Sequence, residues 1–292
     1  MLDSVLDGRE AKETLPVNAP RTIVITGASD GIGAVAARAL AGPEVNLVVV
    51  GRSAQKLAPV AADTGATALT ADFAHLDQVR SLAQQIREQA GRIDVLLNNA
   101  GGTFAPRVRT ADGHEPNFQI NHLAPFLLTN LLRDRLAAAN GALVLNTSSV
   151  GNLFGHVDLD DLDYRRRRAF ETRAYGTSKL MNILFTRGIA ERWVSEGIVS
   201  AAVHPGPVAT SFGRDSWFVG LLYRTPLRRL AAITPAQGAA PLIELANRGA
   251  DPEINGVYFD RHRARGRENR QAHDPKLIDG LWAISTDLVG LG

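Results

Sequence analysis

Cysteine is absent from all 292 residues. That excludes a disulfide framework, a thiolate metal site and a cysteine nucleophile, and it leads us to expect a cytoplasmic protein. The seven histidines, His156 and His204 among them, show no metal-ligand spacing, so no metal is assigned. No apolar run reaches membrane-spanning length, and no integral membrane segment is expected. The stretch Met1 to Val17 is polar and mixed in charge, without the basic start and apolar core of a signal peptide. A strong charge excess is missing as well. The formal net charge is +2, and the pI near 9.1 reflects a near balance of many charges, so no nucleic-acid partner is inferred. There is no linker rich in Gly, Ser or Pro. Residues 1–20, with Pro16 and Pro20 at their end, are expected to form a flexible leader, and 21–292 a single domain.

What is present begins with an ordinary apolar share of 45%, enough for a sizeable core. Thr22-Ile23-Val24-Ile25 has the apolar, β-branched pattern of a buried parallel strand. It runs into Thr26-Gly27-Ala28-Ser29-Asp30-Gly31-Ile32-Gly33 and then a helical run, Ala34 to Ala41. A strand, a glycine-rich turn and a helix in that order make a phosphate site: the backbone comes close and the helix N-terminus faces the anion. The expected dinucleotide contacts here are Gly27, Ser29, Asp30, Gly31, Ile32 and Gly33.

A second strand, Val45 to Val50, closes at Gly51-Arg52-Ser53, where the adenosine ribose should arrive. An acidic residue there suits NAD, whereas a 2′-phosphate calls for positive charge. Arg52, with Ser53 and Lys56 nearby, predicts NADP(H), because guanidinium pairs with phosphate and stacks on adenine. A third strand, Thr67 to Ala71, ends at Asp72-Phe73, placing Asp72 near the adenine amine. A fourth, Ile93 to Leu97, leads to Asn98-Asn99-Ala100-Gly101, amide and small side chains suited to bracing strands and approaching a cofactor. A helix after Asn117 carries Asn121. The fifth strand, Ala142 to Asn146, ends at Thr147-Ser148-Ser149, and the sixth, Val199 to Val203, gives way to His204-Pro205-Gly206.

Repeated strand–helix units predict an α/β fold: one Rossmann-type, doubly wound parallel sheet of about seven strands with helices on both faces. Ligands sit beyond the carboxyl ends of such strands, where Gly27, Arg52, Asp72, Asn98, Ser149 and His204-Pro205-Gly206 fall. One more pair belongs with them. Tyr175 and Lys179 lie four residues apart in a long helix expected from about Ala174 to Glu196, so they share a face. An ammonium beside a phenol favours phenolate, lowering a pKa that starts near ~10 and fitting the tyrosine for proton transfer.

Together these motifs resemble the short-chain dehydrogenase/reductase family over roughly residues 20–260: Thr26-Gly27-x-x-x-Gly31-x-Gly33, Asn98-Asn99-Ala100-Gly101, Asn121, Ser149, Tyr175-x-x-x-Lys179 and Pro205-Gly206. Phe118-Gln119-Ile120-Asn121-His122-Leu123, the run from Ser178 to Thr186, His204-Pro205-Gly206 and the tail from Leu281 are similar to the retinol-dehydrogenase-type branch. The resemblance implies an enzyme with four catalytic residues. Tyr175 would be the acid/base; Lys179 would tune it and hold the nicotinamide ribose. Ser149 would bond the substrate oxygen, and Asn121 would hold a water that passes protons. It also implies cofactor contacts at Asn99, Ala100, Gly101, Pro205, Gly206, Val208 and Thr210. Arg52 matches the position that favours NADP(H) in that branch. Helices around 117–138 and 175–196 form interfaces in many members, which implies a homodimer or homotetramer.

Departures narrow the reading. Ala124-Pro125 replaces the Gly-His often found in the family, and the lack of Cys disfavours the related protochlorophyllide reductases. The membrane-anchoring N-terminal helix of many animal members is not found, which removes a reason to assume a retinoid. The apolar, aromatic segment Phe212 to Ile233 (Trp217, Phe218, Leu221, Leu222, Tyr223) is expected within a substrate lid at about 207–233, and suggests a lipophilic small-molecule substrate. Two basic runs, Arg165 to Arg168 and Arg261 to Arg270, are expected as solvated surface. The function expected is hydride transfer between the nicotinamide and a carbonyl or alcohol. Two alternatives stay open: a non-catalytic nucleotide sensor of the same fold, and a membrane-associated retinoid or steroid dehydrogenase.

Overall fold

Alternation along the strands decides the architecture. In β1 (Arg21–Thr26) the side chains of Ile23 and Ile25 join one apolar cluster and Val24 the other, so both faces of the strand are buried. β2 (Val45–Gly51) splits the same way, Leu47 and Val49 against Val48 and Val50. A strand apolar on both faces is stable only with helices on each side, which is the physical content of the doubly wound reading. This computed structural model describes residues 20–105, 108–168, 170–207 and 233–292. Val208, Thr210 and nearly all of the expected lid and leader lie outside the described residues.

The sheet has eight strands in the order β3-β2-β1-β4-β5-β6-β7-β8, one more than expected. β3 (Thr67–Thr70), β4 (Val95–Asn98), β5 (Ala142–Thr147), β6 (Ile198–His204) and β7 (Val257–Asp260) all pair in parallel with their neighbours. The extra strand, β8 (Arg263–Ala264), is a two-residue antiparallel return from β7. Ile25 pairs with Val49 on one side and Leu97 on the other, so the order reverses at β1. At such a switch point the flanking connections leave for opposite faces and a crevice opens beyond the strand ends.

One face carries α1 (Gly31–Leu40), α2 (Ala54–Thr64) and α8 (Pro235–Arg248); Ala34, Leu57 and Leu242 pack there on Ile25, Val49 and Leu97. The other carries α3 (Leu76–Gln89), α5 (Ala124–Leu131), α7 (Glu171–Arg192) and α9 (Pro275–Leu288). Before α5 a short helix, α4 (Pro116–Phe118), passes through a π turn at Gln119–Leu123; α6 (Arg133–Ala137) follows α5. α7 opens three residues before the expected Ala174 and stops at Arg192, where Trp193 caps it and a 3₁₀ turn at Val194–Glu196 follows.

α9 lies over α5 and α7. The Trp282 ring sits 5.1 Å from Phe126 and 5.8 Å from Phe185, and the cleft that receives it exists because residue 188 is glycine: a Cβ there would meet Trp282 Cε3 at 2.7 Å. The helix pair expected to meet a second subunit is therefore covered, over this stretch, by the chain's own C-terminal helix.

Candidate active site

The turn after β1 is held by its neighbour. Thr26 Oγ1 accepts from the amides of Asn99 and Ala100, each at 3.0 Å, and donates to Leu97 O at 3.2 Å. Asn99 Nδ2 donates to Thr26 O at 3.1 Å and Gly27 O at 3.3 Å. Gly27 and Gly31 sit at φ 68 and 56, the left-handed region where a side chain is strained. A Cβ on Gly33 would collide with Gly27 O and come within 2.7 Å of Asn99 Nδ2. Asp30 caps α1 through a 2.7 Å bond from Gly31 N. Ser29 packs against Gly51, and Ile32 is half-buried beside the α1-side cluster. Arg52 is exposed immediately after β2, and Ser53 caps α2 by accepting from Lys56 N at 3.3 Å. Asp72 accepts from Ala74 N at 3.0 Å, while Phe73 is buried. Asn98 braces the sheet as expected, donating to Asn146 Oδ1 and Thr129 Oγ1 at 2.9 Å each.

At the centre of the crevice four expected residues converge. Asn121, in the π turn, accepts from Gly102 N and donates to Gly102 O, each at 2.9 Å, and reaches Ser178 Oγ at 3.0 Å. A Cβ on Gly101 would press on Asn121 Oδ1 at 2.6 Å and lie 3.4 Å from Lys179 Nζ. Lys179 is buried, its ammonium 5.7 Å from the Tyr175 ring centroid and donating to Thr147 O at 3.1 Å. The Tyr175 hydroxyl is hydrogen-bonded to Ser149, whose Oγ also accepts from Gly151 N at 3.1 Å. The 3₁₀ turn after Ser149 (Val150–Phe154) packs directly on α7, since a Cβ at Gly155 would stand 2.5 Å from Gly176 O. At the end of β6, Gly206 adopts φ 101 beside Pro205, and His204 is held neutral by burial, its pKa down to about 4.

Electrostatics here differ from the sequence expectation. Burial pushes the Tyr175 phenol up to about 12, partly offset by the Ser149 hydrogen bond. Burial brings Lys179 down to about 8. Desolvation by burial is the leading cause at both groups.

A buried network behind Ser149 had no sequence signal. Asn152, fully buried, donates through Nδ2 to Ser149 O at 2.7 Å and Tyr258 Oη at 3.3 Å, and accepts from Asn269 N at 2.9 Å. Two of its partners, Tyr258 and Asn269, come from 106 and 117 residues away, beyond any local pattern. Asn152→Ala would leave the Asn269 amide without its acceptor and remove two donated bonds. We expect a loss of roughly 1–3 kcal/mol, read as a lower denaturation midpoint. Of the first basic run, Arg165, Arg166 and Arg168 are exposed as expected, while Arg167 is half-buried against Asp161. Asp161 accepts from the amides of Arg165, Arg166 and Arg167 at 2.6, 3.1 and 2.9 Å, and from Arg167 Nε at 3.1 Å.

The residues present fit a dinucleotide. The turn is cleared of side chains at Gly27, Gly31 and Gly33, and α1 presents its N-terminus there. The buried Lys179 ammonium has three donor hydrogens and, among the described residues, a hydrogen bond to Thr147 O. Among the described residues no cluster of His, Asp or Glu could hold a metal ion, and no helix is long and apolar enough to cross a membrane.

A nucleotide turn at the switch point, with a phenol, a hydroxyl and an ammonium meeting beside it, defines the class as nucleotide-dependent oxidoreductases. The sequence pattern of the short chain dehydrogenases matches residues 21–217, and the chain belongs to the short-chain dehydrogenase/reductase family, in its retinol-dehydrogenase-like branch. It is 40% identical over 276 residues to a Streptomyces sp. (strain C5) protein described as a candidate daunorubicin C-13 ketoreductase, DnrU, covering 92% of this chain and 93% of that one. To human retinol dehydrogenase 13 it is 35% identical over 292 residues, covering 96% and 87%. A crystal structure of an uncharacterised Mycobacterium Paratuberculosis protein superimposes with a TM-score of 0.75 at 31% identity, covering 94% of this chain and 96% of that one.

Proposed function

We propose that the protein is an NADP(H)-dependent reductase or dehydrogenase that interconverts a carbonyl and an alcohol on a lipophilic small molecule. The observation that carries this is the meeting of Ser149, Tyr175 and Lys179 beside the glycine turn, with the phenol already bonded to Ser149. The bound cofactor would supply or accept the hydride. Gly27 through Gly33, Asn99, Ala100 and Gly101 would seat it, with Pro205, Gly206, Val208 and Thr210 around its nicotinamide end. Asp72 and Phe73 would flank the adenine. Arg52 and Ser53 would meet the 2′-phosphate. Ser149 would bond the substrate oxygen while Tyr175 holds or delivers the proton at that atom. Asn121 would keep a water in line with Lys179.

A panel of carbonyls and alcohols, followed by NADPH and NADH absorbance, tests the reading. Turnover of apolar ketones or aldehydes with NADPH is expected; inertness toward every carbonyl and alcohol would sink it. For the cofactor, Arg52→Glu is expected to reverse the preference toward NADH, because a carboxylate repels the 2′-phosphate and accepts from ribose hydroxyls. A shift of at least about tenfold in kcat/KM ratio corresponds to one ordinary charge-assisted hydrogen bond.

Cytoplasmic residence is our proposal from the cysteine-free sequence. A homodimer or homotetramer would have to avoid the part of α5 and α7 that α9 already covers; sedimentation velocity measures it.

A further inference from the structure

From β7 the chain makes a tight return at Arg261-His262 into β8 and continues as an arm to Arg270. Five arginines, Arg261, Arg263, Arg265, Arg267 and Arg270, lie on it, all exposed, and none has a carboxylate or other side-chain partner among the described residues. Among the described residues, most of the arginines outside the arm do pair with a carboxylate. Arg38 pairs with Asp63 at 2.8 Å, Arg87 with Asp134 at 2.5 Å, Arg187 with Glu268 at 2.8 Å and Arg248 with Asp251 at 2.5 Å. Of the acids close to the arm, Glu268 is engaged by Arg187 and His273, Glu244 by His262, and Asp274 caps α9, while Asp260, opposite Arg263 in the β7–β8 register, is one carboxylate against five arginines. Among the described residues the arm therefore keeps a net positive charge.

The backbone makes the choice of residue more pointed. Arg261 and Arg265 sit at φ 54 and 55, in a region that glycine or asparagine occupies at lower cost. Strain of this kind persists where a side chain is needed.

Position says what for. Arg261 N donates to His204 O at 2.9 Å, and a Cβ on Gly206 would lie 3.4 Å from Arg261 Nε, so the arm starts at the Pro205-Gly206 end of the crevice. At its other end Asn269 Nδ2 donates to Gly155 O at 2.9 Å, tying it to the turn that follows Ser149. The same turn exposes Phe154, at 74%, and Val150. An apolar surface and a cationic rim thus flank the opening together. β2, whose end carries Arg52, stands five positions away along the sheet, so this is not the 2′-phosphate end.

We infer that the Arg261–Arg270 arm is an anion-recognition rim, and that the substrate carries a carboxylate or phosphate beside its apolar part. This rests on the reading above only in taking this opening as the substrate entrance. Net positive charge around a cleft raises the encounter rate and local concentration of an anion, by about tenfold or more at low salt, and the gain is screened over about 10 Å at 0.1 M.

The test uses a matched pair of probes, 1-pyrenebutyrate and neutral 1-pyrenebutanol, bound to the full-length protein with NADPH saturating and followed by fluorescence anisotropy. The butyrate is expected to bind at least about tenfold more tightly at low salt, with the gap closing as salt rises. In R261N/R263S/R265N, whose asparagines tolerate the left-handed positions, the two probes should bind alike; R261K/R263K/R265K should keep the preference. Equal binding in the unmodified protein, or a preference that survives the neutral variant, would overturn the inference. So would arm-dependent binding to phosphatidylserine vesicles with no preference for the soluble carboxylate, which would assign the arm to a surface. Binding is read without turnover, so this result and an active or inactive Tyr175→Phe are independent.

Discussion

Tyr175→Phe is expected to lower turnover by about three orders of magnitude while NADPH binding stays within about twofold, the pattern of a lost proton-transfer group. The ring itself should stay where it is. A Cβ at Gly151 would meet Tyr175 Cε1 at 3.3 Å, so the aromatic face is packed whether or not it carries a hydroxyl. Ser149 Oγ keeps its bond from Gly151 N. Stability should therefore change by no more than about 1 kcal/mol, the usual net worth of one hydrogen bond. Stopped-flow reduction of a carbonyl substrate with fluorescence titration of NADPH measures both quantities. Undiminished turnover would remove Tyr175 as acid/base. The pH profile carries a sign. With the phenol up at about 12, its proton is present throughout the neutral range, so the reductive rate should be level there. It should fall above about pH 8, as Lys179 loses its charge.

Lys179→Met should do two opposite things: abolish most activity and raise stability at neutral pH. Folding buries this ammonium almost completely, and its pKa drops from 10.5 to about 8. A lysine with a depressed folded pKa makes folding harder wherever it must be buried charged. That penalty is fully present below about pH 8, shrinks as pH rises and is gone above about 10.5. Its size is on the order of 3 kcal/mol, less about 1 kcal/mol for the bond to Thr147 O. Thr147 O would not be orphaned, because Asn182 Nδ2 also donates to it at 3.0 Å. Methionine fills the same channel without charge, so thermal unfolding at pH 7 should move up by several degrees, and the difference from the parent should shrink above about pH 8 and vanish above about 10.5. A parent as stable as the variant at pH 7 would mean that the ammonium is not buried as described. Retention of a destabilising charge is intelligible only through function.

Most of the frame was legible because its signals are local. Strand runs apolar on both faces, glycines placed between strand and helix, and a tyrosine–lysine pair at helical spacing each depend on residues within a few positions of one another. Those signals named the doubly wound sheet and placed Gly27, Arg52, Asp72, Asn98 and Ser149 at one edge, while the roles of Asn121, Ser149, Tyr175 and Lys179 came from the family resemblance. The opening of α7 was read three residues late because Phe170 caps it without a side-chain bond, leaving no Ser or Asp to mark the start. The π turn that aims Asn121 has no sequence signature of its own.

By itself, then, the sequence determined which chemical groups the protein owns and along which strand ends they lie, since periodicity and turn chemistry are properties of neighbouring residues. Only the tertiary structure decided how those groups are charged and supported. Burial sets the Tyr175 and Lys179 titrations, because desolvation depends on everything packed around them. Asn152 holds Ser149 through partners more than a hundred residues on, and α9 covers part of the helix pair expected to meet a second subunit. Such facts depend on which distant segments meet, and that is settled by the packing of the whole chain.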